Sequence, residues 1–249
     1  MGSQQTARKR WSKSHDLRQT IRELGWLNTC CYALDRLLAA CSGGRGRIHK
    51  YYFVAQPVAH RPWLPPKRGA DIEVRQIDES DPVIKEFPRP DRAMPYRFKQ
   101  GAVCLSGSKA GQWIGFLWLT LGPYREDEVR CLYVPLPAGR SAWDFDVYLR
   151  PEQRNGIAFL KLWDEANRLL AARGYGCSLS RISAFNPGSM FSHARMGARR
   201  IGAATFLCIG RWQITLATLA PHFHFSPGPD SFPTIALHPA DIRTDEPVR

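Results

Sequence analysis

Nowhere does the 249-residue chain hold about 18 consecutive apolar, uncharged residues, the length that a bilayer-spanning helix requires. A soluble or peripheral, cytoplasmic protein is expected. A signal peptide is also missing from the reading, because Asp16, Arg18, Arg22 and Glu23 fall where its apolar run would follow the basic start. There is no C-x-x-C pair: the seven cysteines are scattered through apolar surroundings, which reads as reduced buried thiols and not as a zinc site. His222, His224 and His238 lack a second ligand pair at a familiar spacing, so no metal is expected. Acidic residues are scarce, 22 against 35 Lys and Arg, and the net charge of +13 admits nucleic acid, an anionic membrane or a phosphorylated ligand as partner.

What is present suits one main domain with additions, since 44% of residues are hydrophobic. Residues 1–15, with Arg8, Lys9, Arg10 and Lys13 among polar side chains, form a basic tail expected to be disordered. From 16 to 41, Leu17, Ile21, Leu24, Leu27, Cys31, Leu34, Leu37 and Leu38 recur at helical intervals, predicting an amphipathic helix bent near Gly25. A strand at 51–55 and a proline-rich connector complete an N-terminal region, 16–69, with a boundary near Gly69.

Beyond it, strands are predicted at 72–77, 102–105, 113–121 and 143–149, with a turn over 107–111. A helix is predicted at 156–173, then a strand at 179–183, a short helix at 187–196, and strands at 198–202 and 206–216. This is an α+β pattern with a mostly antiparallel sheet, occupying 70–219. The proline-rich tail, 220–249, shows neither period and is expected to wrap the surface or be disordered.

The most informative stretch runs from Asp144 to Ala158, where a strand enters a turn that opens a helix. The free N–H groups of a helix start, and its dipole, favour an anion, and Gly156 lets backbone approach closely. Arg150 and Arg154 flank the turn and offer charge-assisted hydrogen bonds to phosphate.

Gln153-x-x-Gly156-x-Ala158 resembles the acyl-CoA signature of the GNAT superfamily, at that family's strand-to-helix junction. Some thirty residues on, Asn186-Pro-Gly-Ser189-Met-Phe-Ser-His193-Ala-Arg-Met-Gly197-Ala198 looks like a second segment of the same family. The resemblance covers about 72–216 and implies a GNAT-like mixed sheet flanked by helices, with an added N-terminal helix. It further implies an N-acyltransferase moving an acyl group, acetyl in the simplest case, from acyl-CoA to a small-molecule or peptide amine. By the resemblance, Gln153, Arg154, Asn155, Gly156, Ile157 and Ala158 hold the CoA pyrophosphate. Leu149 ends the strand that pairs with the pantetheine arm, and Asn186 and Ser189 lie beside that arm.

The chain departs from the family where a tyrosine commonly protonates the leaving thiolate: that position is His193. An imidazole can act as the acid, or His193 is structural or contacts CoA, leaving Ser189, water or no acid. For the base that deprotonates the amine, candidates are Glu126, Asp127, Glu128, Asp144 and Asp146. Alternation along 143–147 puts Asp144 and Asp146 on one face, either in solvent or aimed into a cleft. Trp113, Phe116, Trp118, Tyr133, Trp143 and Tyr148 are either core or lining of an acceptor cavity. The competing function is a basic module binding nucleic acid or an anionic membrane through its N-terminal region and carrying a degenerate GNAT-like domain. A homodimer through the added elements is a further expectation.

Overall fold

The computed structural model describes residues 17–154 and 156–239. The expected basic tail at 1–15, Asn155, and residues 240–249 lie outside them. In chain order the elements are α1 (Leu17–Leu24), α2 (Trp26–Cys41), β1 (Gly46–Pro57), β2 (Ile72–Ile77), α3 (Ala93–Lys99), β3 (Val103–Lys109), β4 (Gln112–Thr120), β5 (Tyr124–Arg125), β6 (Leu132–Pro135), β7 (Ser141–Leu149), α4 (Ala158–Ala172), β8 (Cys177–Ser183), α5 (Pro187–Arg195), β9 (Arg199–Ile209), β10 (Trp212–Ala217), β11 (Phe223–Ser226) and β12 (Thr234–Leu237). The fold is mixed α+β, its strands paired mostly antiparallel.

The chain divides into two compact units, and the sequence passes between them repeatedly. One comprises Pro57–Pro123 and Pro137–Ser178; the other comprises 17–56, Tyr124–Leu136 and 179–239.

In the first unit the strands lie in the order β7, β4, β3, β2, antiparallel throughout. Helix α4 packs on them through Leu162, Trp163, Ala166 and Leu170, at three- and four-residue spacing and fully buried. Gly115 is required at the β4–β7 contact, where a Cβ would lie 2.3 Å from the Tyr148 carbonyl oxygen. Gly69 is required too: its φ is +76°, and a Cβ there would meet Ile157 Cδ1 at 2.8 Å. Trp113, Phe116, Trp118 and Trp143 are buried core, and Tyr148 is half-buried, stacked at 5.8 Å on Trp113.

In the second unit the order is β11, β10, β9, β1, with β8 beyond β1, and a smaller sheet runs β12, β6, β5. The C-terminal tail is therefore not featureless: β11 extends the sheet beside β10, and β12 pairs in parallel with β6. Ile235 and Leu237 of β12 are fully buried, as is Tyr133 of β6. The expected N-terminal helix is broken at Gly25, which has φ +76°. Its second piece, α2, turns polar residues inward. Asp35 accepts from Arg47 Nε and Ile48 N, both at 2.8 Å, and Asn28 donates to Tyr52 Oη at 2.8 Å.

Candidate functional site

Strand β7 leaves the sheet at Leu149 and enters a single 3₁₀ turn, Pro151–Gln153, before α4 begins at Ala158. Pro151 suits the first position of that turn, where no N–H donor is needed. Ile157, the N-cap of α4, supplies no side-chain cap, so the start of the helix is not closed by its own cap residue. A Cβ added at Gly156 would meet the Gln153 carbonyl oxygen at 3.6 Å, an ordinary contact. Packing among the described residues therefore does not demand glycine there, unlike at Gly69 or Gly115.

The flanking arginines are partly engaged. Arg150 Nη2 donates to Glu86 at 2.6 Å and the guanidinium lies over the Trp113 ring. Arg154 Nε turns back to the Leu149 carbonyl at 3.1 Å. Ala158 is buried against the unit, and Gln153 is half-buried in the turn. Asn155 lies outside the described residues.

The two aspartates of β7 do not share a face. Trp118 opposes Asp146 while Leu119 opposes Asp144, so Phe145 is the extra residue of a β-bulge. Trp118 and Leu119 are neighbours on one strand and point to opposite faces, so their partners do as well. Buried Asp144 accepts from Ser178 Oγ at 2.6 Å. Asp146 is gripped by Arg89 through Nε (2.8 Å) and Nη2 (2.6 Å), and by Arg97 Nη1 at 2.7 Å. Burial would raise the Asp146 pKa, but the charges and hydrogen bonds of both arginines outweigh it and hold it at about 2. At neutral pH it is a fixed anion, poorly suited to the base role expected for it.

The second unit holds the other residues of interest. Asn186 is the N-cap of α5, its Oδ1 accepting from Ser189 N at 3.2 Å. His193, on the last turn of α5, is 4% exposed, with Nδ1 3.0 Å from Gln56 Oε1. Burial lowers its pKa to about 4, so the ring is neutral at pH 7 and carries no imidazolium proton to give a thiolate. That is the opposite of what the acid role needs.

Of the acidic run, Glu126 and Glu128 join a buried network with Arg181 and Tyr51. Arg181 holds Glu126 at 2.5 and 2.8 Å and reaches Glu128 at 3.2 Å, while Tyr51 Oη donates to Glu128 at 2.5 Å. Burial pushes the Glu126 carboxyl up, while the charge and hydrogen bonds of Arg181 pull it back down, and Arg181's own pKa stays raised despite its burial. Two arginine N–H groups and the backbone N–H groups of Asp127 and Glu128 converge on Glu126, the environment of a carboxylate. We assign it as ionised.

Arg89, Arg97, Gln56 and Ser178 were not legible in the sequence as partners of Asp146, His193 and Asp144. Each contact spans 34 residues or more, and no spacing rule reaches that far.

No family model matches the chain and no curated protein does. Among solved structures, a conserved protein of unknown function from Staphylococcus epidermidis is similar over 71% of this chain and 67% of its own, at 11% identity and TM-score 0.48. A tandem GNAT protein from the clavulanic acid biosynthesis pathway is similar over 65% of this chain at 12% identity and TM-score 0.40, and this chain spans 54% of that protein's length. An aminoglycoside acetyltransferase from an uncultured soil metagenomic sample is similar over 42% of this chain and 74% of its own, at 13% identity and TM-score 0.29. GNAT acetyltransferases are thus among the structures similar to this chain, at low identity and over part of it.

Proposed function

We propose that the protein is an acyl-CoA-dependent N-acyltransferase, with acetyl-CoA as the simplest donor and an amine as acceptor. The observation that carries the reading is the turn between β7 and α4. It bears Gln153-x-x-Gly156-x-Ala158 at a helix start with no side-chain cap from Ile157, and its glycine is not required by internal packing. Backbone N–H groups of this turn, with Arg154, would take the pyrophosphate, and Leu149, at the end of the strand that leads into it, would border the pantetheine arm. The chemistry is direct attack: the amine nitrogen bonds to the thioester carbonyl carbon, the C–S bond breaks, and the thiolate leaves with the electron pair. The proton lost by the amine passes to water, and the thiolate is protonated from water. Neither step needs an imidazolium at His193 or a free carboxylate at Asp146.

Calorimetric titration of the full chain with acetyl-CoA, followed by thiol release against a panel of amines, tests this. Saturable binding and acceptor-dependent release are expected. Failure to bind acetyl-CoA at millimolar concentration removes the proposal.

A further inference from the structure

Helix α2 is inverted relative to an ordinary surface helix. Its buried residues are Asn28, Thr29 and Asp35, while Trp26, Leu27, Leu34 and Leu37 are 65%, 74%, 54% and 60% exposed. At 100° per residue, Leu27, Leu34 and Cys41 fall on one line with Trp26, Cys30 and Leu37 beside it, a continuous apolar stripe facing outward. Such a stripe in water is costly and marks a surface that another phase or molecule covers.

The charges around it discriminate among occupants. Between residues 18 and 45 the exposed charged side chains are Arg18, Arg22, Arg36 and Arg45, against one acid, Glu23; Asp35 is buried with Arg47. The chain as a whole carries +13. A second copy would offer a matching apolar stripe but bring the same arginines and the same net charge, which repel. A nucleic acid would satisfy the arginines through its phosphates but has no aliphatic surface for the leucines. An anionic lipid surface offers both, acyl chains beneath and phosphate headgroups above. At 16 residues, about 24 Å, α2 is too short to span a bilayer and suits lying in its plane.

We propose that α2 is an interfacial helix that docks the protein on anionic membrane, with Trp26, Leu27, Leu34 and Leu37 entering the acyl boundary and Arg18 and Arg22 meeting headgroups. The proposal is independent of acyl transfer, and its test needs no acyl-CoA.

The test is flotation of the full chain with vesicles of equal phosphatidylglycerol and phosphatidylcholine, against vesicles of phosphatidylcholine alone. Expected is co-flotation with the anionic vesicles only, weakened by salt and reduced about tenfold or more in the variant L27S/L34S/L37S. The three leucines are exposed, so that variant should keep the circular dichroism spectrum and melting temperature of the parent. A second variant, R18E/R22E, retains the stripe and should also lose anionic-vesicle binding. Equal flotation of parent and triple variant overturns the proposal, as does no flotation at all. A dimer by light scattering that L27S/L34S/L37S converts to monomer, without vesicle binding, assigns the stripe to a second copy instead. Salt-sensitive binding to RNA without vesicle binding assigns the arginines to nucleic acid, and either result removes the lipid reading.

Discussion

Arg97 Nη1 donates to Asp146 Oδ2 at 2.7 Å, joining α3 to the bulged stretch of β7 across 49 residues of sequence. With Arg89 on the same carboxylate, the pair gives Asp146 two opposite charges and a folded pKa of about 2, below the ordinary 3.8. A carboxylate with a lowered folded pKa contributes stability that is complete above about pH 4 and is lost as pH falls toward 2. The contribution is about 2 kcal/mol. Replacing the carboxylate leaves two arginines without a counter-charge, so Asp146→Asn is expected to cost about 3 kcal/mol or more in urea denaturation at pH 7. An unchanged midpoint would show that the ion pairs do not hold the unit together.

His193 should make itself felt through stability. Its folded pKa, about 4, is below the ordinary 6.5, so between these values the unfolded chain binds more protons than the folded one. Stability therefore falls as pH drops from about 6.5 to 4, by about 3 kcal/mol in total. His193→Gln should flatten that slope in denaturation curves taken at pH 7, 6 and 5. The same variant should leave no missing inflection near pH 6.5 in the rate of thiol release. If an inflection there vanishes with the substitution, the imidazole titrates in the reaction and the neutral assignment is wrong.

At Gly156 the expectation separates folding from binding. Since a Cβ would make only an ordinary contact with the Gln153 carbonyl, Gly156→Ala should melt within a few degrees of the parent. Gly156→Val, which fills the approach to the helix start, should weaken acetyl-CoA binding about tenfold or more. Parent-like affinity in the valine variant would place the pyrophosphate elsewhere.

Gly115 predicts the reverse pattern. A Cβ there sits 2.3 Å from the Tyr148 oxygen, so Gly115→Ala must part β4 from β7 just before the turn at Pro151–Gln153. Destabilisation of about 3 kcal/mol is expected, with acetyl-CoA binding lost at temperatures where the parent still binds. A fully stable alanine variant would mean the two strands have room that the structure denies them.

The sequence disclosed elements whose signal is local. The strand expected at 72–77 matched β2 residue for residue, and the helical spacing after Gly156 located α4 to within two residues. Helix α3 was hidden because Pro88, Pro90 and Pro95 fall between the strands expected at 72–77 and 102–105, where prolines argue against a helix. Pro95 is in fact the third residue of α3, within the first turn, where a missing N–H costs nothing. The hairpin after β3 is tighter than Gly107 to Gly111 suggested. Only Ala110 and Gly111 make the turn, with φ of +50° and +75°, and Gly107 remains within the strand. The face of Asp144 and Asp146 was misjudged because a bulge shifts the alternation by one, and a bulge leaves no mark in residue type at Phe145. At the site, the turn chemistry was visible from residue types, whereas the ionisation of Asp146 and His193 was not: the first depends on an arginine 57 residues away and the second on burial by the folded unit.

Strand β12 has a consequence for how the chain is made. Its partner β6 emerges from the ribosome about 100 residues earlier, with Tyr133 destined for full burial. Until Thr234–Leu237 is synthesised, one edge of β6 lacks its partner, so nascent chains ending before that point expose an unpaired strand next to aromatic surface. Premature termination ahead of residue 234 should therefore yield a product that chaperones retain and proteases remove, however intact its acyl-CoA turn.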